Sequence, residues 1–194
     1  MIDMNTIKKE AVIEFEERKS KFIGYAKPVS SKKEAEEFIE KIKMKHPDAT
    51  HNCSAYQVID EGQEYFKTDD DGEPSGTAGK PMGDIITYME VSNLAVVATR
   101  YFGGIKLGAG GLIRNYAKTA KLAIQEAEIE DYVEKNIYIL DFPYERIGEV
   151  ENLLGENCEY IEKGYNDRVT YKVKIDKPTF DSLSSIKDLI TIDL

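Results

Sequence analysis

The chain carries 36 Asp and Glu residues in 194 positions, yet none lies between residues 91 and 125. The stretch opens on a continuous apolar run, Leu94 to Thr99, which predicts a strand buried on both faces of a sheet. Five glycines follow (Gly103, Gly104, Gly108, Gly110 and Gly111), and then an amphipathic segment from about Leu112 to Glu128 that predicts a helix. Five cations, Arg100, Lys106, Arg114, Lys118 and Lys121, accompany them. A glycine turn feeding a helix N-terminus, flanked by cations and free of carboxylates, has the makings of an anion site.

Length allows one large domain or two small ones, with a core that needs no covalent staples. No apolar run approaches the ~20 residues of a membrane span, and the opening MIDMNTIKKE lacks the apolar core of a signal peptide. Cys53 and Cys158 are far apart in sequence and are expected to be reduced thiols of a cytoplasmic protein. The net charge of −10 argues against a general nucleic-acid coat. It is unevenly spread: residues 1–130 hold 18 cations and 22 acids, residues 131–194 hold 8 and 14. The acid-free stretch is a +5 island, so any polyanion should bind locally and in one orientation.

The pattern predicts a hairpin from 10–17 and 21–27, with Ile13 and Phe15 on the side opposite Val12. A helix follows, N-capped by Ser31 with Glu34 at capping-box spacing, an apolar stripe of Ala35, Phe38, Ile39 and Ile42, and an end at His46-Pro47-Asp48. Strands are expected at 51–59 and 64–68, a long polar loop at 69–80, and a helix starting at Pro81 with Ile85, Ile86 and Met89 inward. The polar, acidic run 125–136 marks a domain boundary. Beyond it come strand 136–142, helix 143–154, strands 158–163 and 168–175, a short helix around Phe180, Leu183 and Ile186, and a strand at 189–193. That order is β-α-β-β-α-β, the ferredoxin-like pattern. The expected fold class is α+β in two domains, 1–130 and 131–194.

On the helix after the glycine turn, Leu112, Ile113, Tyr116, Ala117, Ala120, Ala123 and Ile124 are predicted to face inward. Arg114, Lys118, Lys121 and Gln125 recur at steps of four, three and four and share the outward side. Arg114 suits bidentate phosphate contact and the lysines act as point charges. A merely solvated helix face has the same periodicity; the adjoining glycines are what favour a ligand. No phosphate-binding P-loop is present, since Gly79-Lys80 is followed by Pro81, and no GxGxxG occurs. Asp69-Asp70-Asp71-Gly72-Glu73 is acidic enough for a hard cation but fails the calcium-loop template, which would need ligands where Lys67 and Ala78 stand. Ser75, Thr77 and Lys80 lie in a small-residue segment that either offers N–H groups to an anion or caps the next helix. His51 and Cys53 share a strand face without the further ligands that a metal or a nucleophile–base pair requires. No metal and no cofactor is expected, and no residue is assigned a catalytic role.

The strings HNCSAY (51–56), DDGEPSGTAGKPM (70–82) and ATRYFGGIKLGAGGLIRNYAKTA (98–120) closely resemble the IMPACT family in its bacterial YigZ-type form. The resemblance is strong over about 15–128 and weaker over 133–194. It implies an N-terminal domain like domain IV of elongation factor G, a fold also known as domain 2 of a ribosomal protein. It implies a C-terminal ferredoxin-like domain like domain V of that factor. Eukaryotic relatives act in translational control during amino-acid starvation and use an additional N-terminal RWD domain, for which this chain is expected to have no room. No catalytic residues come with the family.

The leading expectation is a non-enzymatic cytoplasmic binding protein that contacts RNA or the ribosome. The residues concerned are Arg100, Gly103, Gly104, Lys106, Gly108, Gly110, Gly111, Arg114, Lys118 and Lys121, with His51, Asp71, Glu73, Ser75, Thr77 and Lys80 from the neighbouring loop. Five phosphate contacts would give a salt slope of about −3.5 to −4.5. A second reading is an enzyme or sensor for a phosphorylated or carboxylate ligand, with Lys80, Arg100 and Lys106 as anion clamps and Asp71 or Glu73 as general base. A third is a protein–protein adaptor of the translation machinery, with the acidic C-terminal domain as partner surface. None of the three involves a membrane.

Overall fold

A computed structural model describes residues 4–60, 62–156 and 158–193. The chain divides into two compact units, one ending at Tyr132 and the other beginning at Val133. The first contains β1 (Asn5–Ile7), β2 (Ala11–Glu17), β3 (Ser20–Pro28), α1 (Lys32–Lys45), β4 (His51–Asp60), β5 (Gln63–Asp69), α2 (Gly79–Tyr88), β6 (Leu94–Tyr101), α3 (Ala109–Glu126) and β7 (Ile129–Asp131). Five of the strands form one antiparallel sheet in the order β2-β3-β6-β4-β5. β6 is central, and from Leu94 to Arg100 every residue is buried, as its unbroken apolar character predicts.

Alternation along the strands makes two cores. Phe22, Ala26, Cys53, Ala55, Val96 and Ala98 face α2 and α3, where Met82, Ile86, Tyr116, Ala120 and Ile124 meet them. Ile23, Tyr25, Tyr56, Val58, Ala95 and Val97 face α1, which supplies Ala35, Phe38, Ile39 and Ile42. Each apolar stripe thus finds one face of the sheet.

Local signals decide the helix ends. Ser31 caps α1 by accepting from the Glu34 N–H at 3.1 Å. The reciprocal bond of the expected capping box is shifted by one residue, because Glu34 accepts from the Ser30 N–H (2.9 Å) and from Lys27 (3.0 Å). α2 begins at Gly79, two residues before Pro81. Proline is tolerated there because the N–H groups of a first turn have no partner within the helix. α3 begins at Ala109, three residues before its expected start, since Gly110 and Gly111 join the helix. Two short strands were invisible to periodicity: β1 pairs with β7, and β7 is exposed throughout and lies within the acidic run 125–136.

The second unit contains β8 (Lys135–Phe142), a 3-10 turn at Tyr144–Arg146, α4 (Ile147–Leu154), β9 (Glu159–Tyr165), β10 (Val169–Asp176), α5 (Lys177–Leu183) and β11 (Ile190–Asp193). Its antiparallel sheet has the order β11-β8-β10-β9. Val169, Tyr171, Val173 and Ile175 form the buried face, covered by Val150, Leu154 and Leu183 of the helices. Both cysteines are free thiols.

At the C-terminus of α1, His46 lies between two tyrosines. Tyr101 Oη donates to Asp48 (3.2 Å), which leaves its oxygen to accept from His46 Nδ1 (2.8 Å), and His46 Nε2 then accepts from Tyr25 Oη (2.6 Å). Burial, the Lys45 charge and, more weakly, the Lys21 charge hold the imidazole pKa below its ordinary value against the opposing pull of Asp48. The folded chain therefore binds this proton less tightly than the unfolded chain. Its stabilising share is complete above the free-imidazole value of about 6.5 and is lost as pH falls through the folded value. Denaturant unfolding between about pH 5 and pH 7 should show a smaller pH dependence in His46→Gln than in the parent. Identical slopes would contradict the assignment.

Candidate nucleic-acid interface

β5 and β6 are each antiparallel to β4, so they run in the same direction and leave the sheet at one end. The loops 70–78 and 102–108 both start there. His51 opens β4 at that end, directly across from Arg100 in the register. His51, Arg100 and the starts of both loops share that end, but the two loops have different fates.

The acidic loop is consumed internally. Asp69 accepts from the Asp71 N–H (2.9 Å). That bond, reinforced by the charge of Lys43 and opposed by burial, lowers the Asp69 pKa. Asp70 accepts from the N–H groups of Gly76 (2.7 Å), Ala78 (3.0 Å) and Gly79 (2.8 Å). Its carboxylate is therefore the anion at the α2 N-terminus, in the place that the sequence reading offered to a ligand. Asp71 takes the Asn52 N–H (2.7 Å) and Lys43 (3.0 Å). Thr77 Oγ1 is buried and donates to the Pro74 carbonyl (2.6 Å), while Ser75 is exposed. Lys80 is exposed and paired with Asp84 at 2.6 Å.

Glu73 is the keystone. Its carboxylate accepts from Arg100 Nη1 (2.6 Å) and Tyr116 Oη (2.7 Å), and His51 Nε2 lies 3.7 Å away. Glu73, Arg100 and Tyr116 are all buried. The expected anion clamp at Arg100 is thus paired inside the protein, and the carboxylates of Glu73 and Asp71 both have partners within the chain. Arg100 Nη2 reaches Ser20 Oγ at 3.4 Å. Its Nε has no hydrogen-bond partner among the described residues, and the guanidinium carbon lies 5.8 Å from the Phe22 ring centre and 5.4 Å from that of Phe102. His51 Nδ1 donates to the Asp71 carbonyl (2.8 Å), and Cys53 Sγ donates to that of Asp70 (3.0 Å). Burial above all, with the charges of Glu73, Asp71 and Asp70 and against the opposing hydrogen bond with Tyr116, pushes the Cys53 thiol far up, which disfavours the thiolate. Burial likewise raises the Tyr116 phenol, which stays a donor to Glu73. Among the described residues no cluster of His, Cys, Asp or Glu side chains could hold a metal ion.

The cationic loop and α3 remain open. Lys106, Arg114, Lys118 and Lys121 are exposed, and none is ion-paired with a carboxylate among the described residues. Lys118 lies over the Phe15 ring at 4.3 Å. Gly108 is the N-cap of α3 at φ 71°, with no side-chain cap and no acid in the first turn. Gly104 also has positive φ (88°). Gly103 is small for a different reason: a Cβ there would collide with the Lys19 carbonyl of the β2–β3 turn. Gly110 and Gly111 form the first turn of α3, with Gly111 against Leu107.

Ile113, assigned inward from periodicity, is 42% exposed instead, and Asn115 and Thr119 take buried places. They fit because their polar groups bond back along the helix: Asn115 Nδ2 to the Gly111 carbonyl (2.8 Å) and Thr119 Oγ1 to that of Asn115 (2.7 Å). Thr119 also packs over Gly24, where a Cβ would come within 2.8 Å of its methyl group. Sequence reasoning passed over Phe102 and Ile105, which are 44% and 43% exposed. Two large apolar residues in a polar glycine turn were the signal.

Comparison with known proteins places this geometry in a family. Residues 18–124 match the family described as the Impact N-terminal domain. The chain is 39% identical over 180 residues to the IMPACT family member YvyE of Bacillus subtilis, covering 92% of this chain and 82% of that protein. It is 35% identical over 182 residues to an IMPACT family member of Haemophilus influenzae, covering 92% and 87%. A crystal structure of a "hypothetical protein" superposes with a TM-score of 0.64 at 28% identity, covering 100% of this chain and 98% of that one. The chain belongs to the IMPACT family. The resemblance to human IMPACT is confined to 96 residues, 47% of this chain and 29% of that protein, at 34% identity.

The buried pair yields a stability prediction. Glu73→Leu leaves Arg100 charged and unpaired in the interior and should lower the unfolding free energy by about 3–5 kcal/mol. Adding Arg100→Leu removes the stranded charge and should recover much of that loss. A double variant no more stable than Glu73→Leu in denaturant titrations would contradict this account.

Proposed function

We propose that this chain is a non-enzymatic, cytoplasmic binding protein of translational control that docks on RNA, in isolation or within the ribosome, through the 102–108 loop and the outer face of α3. The observation that carries the reading is the set Lys106, Arg114, Lys118 and Lys121: exposed, and without carboxylate partners among the described residues, in a chain of net charge −10. Phosphate oxygens are the ligands such a face accepts, Arg114 through two parallel bonds and the lysines as point charges. The uncapped N-terminus of α3 adds donors of the same sign. Translational control is taken from the family's eukaryotic members.

The fold assignments belong to this reading as well. We take the second unit, with its fourth, first, third and second strands side by side, as a ferredoxin-like domain comparable to domain V of elongation factor G. The first unit is read as the counterpart of domain IV. The enzyme reading loses support, because Arg100, Lys80, Asp71 and Glu73 all have internal partners.

With Arg100 withdrawn, four contacts replace five, and the slope of log K against log salt becomes about −2.8 to −3.6. Arg114→Glu/Lys118→Glu/Lys121→Glu should abolish binding to ribosomes and to structured RNA in fluorescence titrations while leaving the melting temperature within a few degrees of the parent. Parental affinity in the triple variant would overturn the proposal. No described helix is long and apolar enough to cross a membrane.

A further inference from the structure

The reading above accounts for the cations but not for the apolar side chains among them. Phe102 and Ile105 lie in the loop that precedes α3, and Ile113 lies on the helix one residue before Arg114; each is more than 40% exposed. Exposed apolar groups inside a cationic surface are poorly served by water and gain nothing from phosphates. A duplex presents mainly phosphates and sugars to such a surface, whereas a single strand presents the faces of unstacked bases.

Phe102 is held ready for such a contact. Its N–H donates to Thr50 Oγ1 at 2.9 Å, and its ring lies 5.4 Å from the Arg100 guanidinium, which Glu73 fixes in turn. A ring oriented in advance loses little freedom on binding. On either side of Ile105 and Lys106, Gly104 and Gly108 have positive φ and open space where a side chain would stand, so a backbone can approach closely.

Resting on the docking surface proposed above, we infer that its ligand is a single-stranded segment of RNA, with a base stacked on Phe102 and the flanking phosphates on Lys106 and Arg114. Charge selects a nucleic acid and the exposed ring selects an unpaired one. Duplex RNA would engage the cations alone, Arg114 among them.

The test uses the full chain and three fluorescent probes: a short oligouridylate, the same oligomer with abasic sugars, and a blunt RNA hairpin. The parent should bind the oligouridylate at least about 10-fold more tightly than the other two, the scale of one stacked base. Phe102→Ala should remove that advantage and leave the salt slope and the binding of abasic oligomer and hairpin unchanged. Phe102→Trp should keep the advantage, which separates stacking from damage to the loop. Equal parental affinity for the three probes, or an unchanged preference in Phe102→Ala, overturns the single-strand inference while leaving the charge-based docking intact. Absence of binding to any probe overturns both.

Discussion

The Glu73 carboxylate is the contact on which the functional end of the sheet depends. It closes the 70–78 loop onto β6 through Arg100 and onto α3 through Tyr116. A lone buried charge of either sign would be costly, and a partnered one is tolerable only when its remaining lone pairs are also used. Tyr116 contributes to that need by donating to the same carboxylate oxygen that Arg100 engages. The guanidinium so fixed then sits against the Phe102 ring, so one buried ion pair orients the loop that leads to the basic helix.

Around this contact the acidic loop behaves as an internal counterion store. Asp69, Asp70, Asp71 and Glu73 are directed at N–H groups, Lys43, Arg100 and Tyr116 rather than at solvent ligands. The two helices that start at this end are consequently unlike. α2 receives its anion from Asp70, whereas α3 has a glycine N-cap, no acid in its first turn and cations along its outer face. The absence of acids from 91–125 thus has a structural reading: carboxylates placed there would compete for the cations that the proposed ligand needs.

Much of the architecture was legible because it rests on period and on end signals. The unbroken Leu94–Thr99 run became the central strand, Ser31 became the α1 cap, and the inward side of β10 followed its alternation. What escaped depends on partners distant in sequence. β7 carries no apolar pattern and exists by pairing with β1. Arg100 reads as one more cation until Glu73 is folded against it, 27 positions away. Asp70 reads as one acid of three until its loop turns back to cap α2. Periodicity placed Ile113 inward, but Asn115 and Thr119 can be buried by bonding to their own helix, which rotates the covered side. The site itself was only half legible: the cations of α3 were visible, and the apolar residues beside them were not given a role.

Amide hydrogen exchange on the full chain, with and without saturating oligouridylate, tests the central claim most directly. The account requires slowed exchange confined to the 102–108 loop and the first turns of α3, with the 70–78 loop unchanged because the N–H groups of Asp71, Glu73, Gly76, Thr77 and Ala78 already have partners within it and at Asp69. Protection centred on 70–78, or on α1 and β5, with residues 102–121 unaffected, would contradict it.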